Sequence, residues 1–168
     1  MKLEYNAPVI LTFTLISTAV MIIDSVLGGF TQQFFMFRGV FDFGAPLDYA
    51  RLFSYTMGHA NWPHLLGNFA IILLIGPILE EKYGSGDLLF MMAVTAFVSS
   101  ALSTLLFDTG GLGASGIVFM LIMLSSFANF REGTIPMTFV LVALLYLGQE
   151  VINAFSNDNI SQFGHIVG

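Results

Sequence analysis

The run PVILTFTLISTAVMIIDSVLGGF, residues 8–30, holds a single charged side chain, Asp24. An α-helix needs about 20 mostly apolar residues to cross a hydrocarbon core about 30 Å thick. Lipid offers no partners for backbone amides and carbonyls, so a segment this oily is expected to be a helix that satisfies its own backbone. Comparable runs recur at about 63–79, 88–107, 113–130 and 135–155, separated by the polar stretches EEKYGSGD, DTGGLG, REGT and SNDN. With 56% hydrophobic and 10% charged residues and a mean hydropathy of +0.84, the chain reads as an all-α, multi-pass membrane protein. The runs fill most of residues 1–168, which leaves one domain.

The first apolar run is about twice as long as a signal-peptide core and has no clear small-residue cleavage site, so it reads as a retained first span. Residues 31–62 mix Arg38, Asp42, Asp48 and Arg51 with many aromatics, a composition suited to lying among headgroups, with short helical pieces. At the other end, ISQFGHIVG is too short to cross a bilayer. It is expected to be the start of an incomplete sixth helix, about 159–168.

With the N-terminus cytoplasmic, Lys2, Lys82 and Arg131 fall inside, against Arg38 and Arg51 outside. The long aromatic loop, the GGLG turn and the SNDN turn then share the outer side. The starts of spans two, four and six meet at that face.

Composition removes several classes of function. Without cysteine there are no disulfides or thiolate metal sites. Eleven acids against five bases, a net charge of -6, give no basic patch for nucleic acid.

All three histidines of the chain lie at or just before the outer helix starts. His59 and His64 bracket the start of span two in HANWPHLLGN, and His165 falls in the sixth segment. Ser115 heads span four in GGLGASG. Ionisable and polar groups at membrane depth are costly and mark candidate functional sites. A serine in the first turn of a helix has backbone N–H groups and the positive end of the helix dipole beside it, which suits a developing oxyanion. The same serine could equally be an N-cap, with Gly113 and Gly116 serving close helix packing.

An imidazole titrates near operating pH and is the usual base for a serine hydroxyl. Five or six residues into a helix, His165 would sit roughly 8 Å below the start, close to the depth of Ser115. A buried packing histidine is the plainer alternative. His64 and Asn68 are spaced i, i+4, so they share one face of span two, and both can donate to a carbonyl oxygen gaining charge. Phe119, one turn after Ser115, could stack on the His165 ring or simply pack. Three histidines could in principle hold zinc, but no HExxH motif is present, no acid lies close in sequence to the histidine pair, and no metal is expected. Asp24 and Glu150 have no motif around them, though a small transporter could use such acids, with the histidines, as a proton path.

Three motifs, His59-x4-His64-x3-Asn68, Gly113-Ala114-Ser115-Gly116 and Gly164-His165-x-x-Gly168, occur in that order at three span starts. Together they resemble the rhomboid intramembrane serine proteases. The resemblance implies a six-helix bundle and a Ser–His dyad, with Ser115 as nucleophile and His165 as general base and acid. His64, Asn68 and the Ser115 N–H would form the oxyanion hole, and His59, Gly113 and Phe119 would shape the cavity. It implies no cofactor. The expected partners are single-span transmembrane substrates, cut near the outer boundary, and the lipid bilayer. The expected location is the plasma (inner) membrane of a prokaryote. The alternative is a catalytically silent member that binds client transmembrane helices. Glu80 to Gly84 looks like the family's charged end of helix two. The family's Trp-Arg pair in the first loop is not evident, and Tyr49-Ala50-Arg51 is the nearest match.

Overall fold

Proline stands in the first turn of three helices, where its missing N–H costs nothing and its fixed φ suits the helix: Pro8 in α1 (Pro8–Leu27), Pro46 in α3 (Pro46–Ser54) and Pro63 in α4 (Trp62–Tyr83). The computed structural model describes residues 4–107 and 110–127, with isolated positions between 136 and 148. The remaining helices are α2 (Phe30–Phe34), α5 (Ser85–Phe107) and α6 (Ser115–Phe127), and a 3₁₀ turn spans Tyr55–Met57. Among the described residues the only β pairing is an isolated bridge, Phe37 to Gly111. Three helices, α1, α4 and α5, are long and apolar enough to cross a membrane, and α6 is shorter and apolar. Met137, Val140, Leu141, Leu144, Leu145 and Gly148 are helical, within the expected fifth span, while the sixth segment lies outside the described residues.

Each long helix buries one stripe and shows lipid the rest. On α1 the buried positions Ile10, Phe13, Ser17, Val20 and Met21 recur every three or four residues, while Leu15, Ile22 and Val26 are exposed. Such helices are oily all round, as membrane spans are. α6 packs against α4 and α5, and its Ile117, Val118, Leu121 and Ile122 are almost wholly buried. α1 and α4 approach closely at Gly76, where a Cβ would stand 2.6 Å from Ile10 Cδ1. Small residues allow such contacts between spans.

The helix boundaries differ from the sequence expectation for identifiable reasons. α1 stops at Leu27 rather than continuing to Phe30, because Gly28 and Gly29 take φ of 67° and 77°. Asp24 accepts the Thr31 N–H at 2.7 Å and holds the turn into α2. α4 runs past Leu79 through the charged residues to Tyr83, where Gly84 at φ 85° ends it. The Glu80 carboxylate is 3% exposed. It accepts the N–H groups of Val9 and Ile10 at 2.9 and 3.0 Å and the Ser85 hydroxyl at 2.7 Å. An anion at a helix N-terminus is favoured by unpaired amides and by the dipole, so this charge is absorbed inside the bundle and does not break the helix.

The long first loop is built around Arg51. Its Nη1 lies 2.6 Å from Asp48 Oδ1, its Nη2 donates to the Gln33 carbonyl, and Asp48 Oδ2 accepts the Asp42 N–H at 3.1 Å. Burial acts to raise the Asp48 pKa, but the Asp42 amide and the Arg51 guanidinium outweigh it and hold the carboxyl below its ordinary value of 3.8. Arg51 therefore anchors the loop with an aspartate one turn before it. The loop's last turn dips inward: Met57, with Phe13 and Met92, lines a cavity of about 390 Å³ between α1 and α5.

Candidate active site

Val118 N–H bonds the Ala114 carbonyl at 2.9 Å, which makes Ala114 the N-cap and puts Ser115 in the first turn of α6. The cap position itself belongs to a residue with no side-chain oxygen. Ser115 is 3% exposed. It follows a loop in which Gly113 adopts φ 122°, a conformation that glycine reaches without strain.

α4 starts beside this loop. Asn61 accepts the His64 N–H on its side-chain oxygen at 2.9 Å, a regular N-cap that fixes the first turn. The turn presents the His64 ring to Gly113: a Cβ there would lie 2.7 Å from Cε1 and 2.9 Å from Nε2. His59 is almost wholly buried. Its ring meets that of His64 edge-on, with centroids 5.1 Å apart, and lies 5.6 Å from the Phe69 ring.

One turn into α4 from His64, Asn68 is 7% exposed, and its Nδ2 has no hydrogen-bond partner among the described residues. Buried donors are rarely left this way, because the missing bond costs about 1–3 kcal/mol. Phe119, one turn beyond Ser115, is half-buried.

The structure thus gathers His59, His64 and Gly113 at one place, Gly113 standing two residues before the helix that Ser115 begins. Asn68 continues the His64 face. His165 lies outside the described residues. Among those residues no three His, Asp or Glu side chains form a cluster able to hold a metal ion.

Three contributors were not singled out in the sequence. Asn61 was legible as an Asn just before Trp62-Pro63, a helix-start signal. Phe37 and Tyr55 were not. Phe37 exchanges both backbone hydrogen bonds with Gly111, at 3.2 and 3.1 Å, and the Tyr55 carbonyl accepts the Gly113 N–H at 3.0 Å. The Tyr55 phenol is buried, which pushes its pKa up, against the opposing effect of a hydrogen bond with Ser99.

The helical bundle thus holds a buried serine that opens one helix, with the His64 ring against the loop before it. Comparison with known proteins gives the family. The Rhomboid domain family model matches residues 46–168, and this chain belongs to the rhomboid family. Over 121 residues it is 30% identical to the protein named "Putative rhomboid protease YdcA" of Bacillus subtilis (strain 168), a match covering 70% of this chain and 61% of that relative's length. The chain is an integral membrane protein.

Proposed function

We propose that this chain is an intramembrane serine endopeptidase working by a Ser115–His165 dyad in a six-helix bundle. The Ser115 oxygen bonds to the scissile carbonyl carbon while its proton passes to His165. The carbonyl oxygen becomes an oxyanion, taken up by the Ser115 N–H, His64 and Asn68. Collapse of the tetrahedral species breaks the C–N bond, and the leaving amine takes the proton from His165. Water, deprotonated by the same imidazole, then releases the acyl group and regenerates Ser115. His59, Gly113 and Phe119 shape the pocket, and no cofactor enters the scheme. The substrates are single-span membrane proteins cut near the outer boundary, with the enzyme's N-terminus cytoplasmic in a prokaryotic plasma membrane.

The observation that carries this reading is the buried Asn68 Nδ2, without a partner among the described residues, on the same α4 face as a histidine that touches the Ser115 loop. A donor kept desolvated and unpaired is suited to a charge that exists only during reaction. The test is labelling of the full-length protein, in membranes, with a fluorophosphonate, alongside fragment masses from a panel of single-span substrates. Labelling that is lost in Ser115→Ala, together with discrete cleavage, supports the enzyme. Client binding with neither labelling nor cleavage would instead establish the silent, helix-binding alternative.

A further inference from the structure

The loop that delivers Ser115 is rich in glycine, yet of Gly110, Gly111 and Gly113 only Gly113 has a positive φ. Gly110 and Gly111 are required for a different reason, which is room. A Cβ on Gly110 would stand 2.7 Å from the Phe37 carbonyl oxygen, and one on Gly111 would stand 2.3 and 2.5 Å from Cε1 and Cζ of the Phe37 ring. Both glycines are shaped around one residue of the first loop.

That residue is itself fixed. Phe37 is 4% exposed, is bonded to Gly111 through both backbone groups, and meets the Tyr55 ring edge-on at 4.9 Å. Tyr55 in turn accepts the Gly113 N–H. Leu112, between these ties, reaches Gly58, where a Cβ would meet its Cδ1 at 2.6 Å. A glycine-rich segment loses more conformational freedom on ordering than any other. Ala114 is buried but offers only a methyl group to hold it.

We infer that Phe37 is a positioning residue for the nucleophile: its ring and backbone, seated on Gly110 and Gly111, hold the loop that sets Ser115 in place. The first loop is thus part of the catalytic scaffold. The inference rests on Ser115 being the nucleophile.

The experiment measures the rate of fluorophosphonate labelling per folded molecule in the full-length protein, together with its thermal unfolding midpoint. Gly111→Ala drives a methyl into the Phe37 ring. It is expected to slow labelling by about tenfold or more, the scale of cost for sub-ångström to ångström misplacement of a reacting group. Phe37→Leu removes the ring atoms that the methyl meets, so the double variant Phe37→Leu/Gly111→Ala is expected to return to within about threefold of Phe37→Leu alone. Gly76→Ala, which strains the α1–α4 contact far along the chain, is expected to lower the unfolding midpoint while the folded fraction labels at the wild-type rate.

Should Gly111→Ala fail to fold, Phe37→Ala, which adds no volume, takes its place and is expected to slow labelling more than Gly76→Ala does. Wild-type labelling rates in folded Gly111→Ala or Phe37→Ala would overturn the inference, as would a double variant more than about threefold slower than Phe37→Leu alone. Failure of the underlying nucleophile assignment looks different: the wild-type protein itself would not label at Ser115.

Discussion

α1 and α6 begin with opposite solutions to the same problem. Each exposes first-turn amides and the positive end of a helix dipole, and each has an alanine at its N-cap, Ala7 and Ala114. At α1 the amides of Val9 and Ile10 are answered by a full negative charge, Glu80. At α6 the group against the preceding loop is the ring of a histidine, His64, at Gly113, and the Asn68 amide lies one turn further along α4. α4 lies between these extremes, capped by the neutral oxygen of Asn61. A carboxylate quenches a helix start for good. Under the proposed function, the α6 start would meet a negative charge that comes and goes, as acyl transfer generates.

That contrast can be broken most sharply at α6. Ser115→Ala and His165→Ala are each expected to reduce peptide cleavage at least about 10⁴-fold, the scale seen when a member of a nucleophile–base unit is removed. Cleavage near wild-type rates in either would end the dyad assignment.

Asn68→Ala and His64→Ala should each lower kcat by about 10²–10³-fold, the usual effect of losing one oxyanion donor. Their labelled, folded fractions should match wild type by size-exclusion profile. Unchanged kcat in both would remove donors from the α6 side of the comparison.

At α1 the effects should fall on stability. Glu80→Gln keeps the shape but removes the charge that meets two amides, and is expected to cost about 1–3 kcal/mol in an unfolding titration. The folded protein's rate of cleavage should stay within about twofold of wild type, because the carboxylate serves the opposite end of α4 from His64. Asn61→Ala is a smaller change, about 1 kcal/mol for a lost N-cap.

The smallest effect belongs to Asp48. Its folded pKa is depressed below 3.8, so the stabilisation it provides is fully present above that value and is lost as pH falls through the folded value. Acidification from pH 5 to pH 3 should therefore lower the unfolding midpoint of the wild type more than that of Asp48→Asn. Equal slopes would show that the Arg51 clasp does not sense protonation.

What could be read from the sequence follows the range of the interactions. The three long helices α1, α4 and α5 were legible because each is a property of consecutive residues, and His64 with Asn68 because helical spacing alone puts them on one face. The serine's place in the first turn of α6 followed from the run of glycines before an apolar stretch. Glu80 read only as part of the charged end of span two because its partners, Val9 and Ile10, lie about 70 residues earlier. The bridge from Phe37 to Gly111 was hidden for the same reason. The approach of the first loop to the glycines at 110 and 111 is likewise a contact between distant parts of the chain. Arg51, without the usual tryptophan, finds its anchor in Asp48 and a backbone carbonyl, a pairing that i, i+3 spacing permits but does not announce.

The reach of Glu80 also bears on how the molecule is made. The opening amides of α1 leave the ribosome long before the carboxylate that receives them. Until the end of α4 has been synthesised and threaded back to the same side, the first helix sits in the bilayer with its amino end unanswered. The carboxylate then joins three termini at once, the start of α1, the end of α4 and Ser85 at the start of α5.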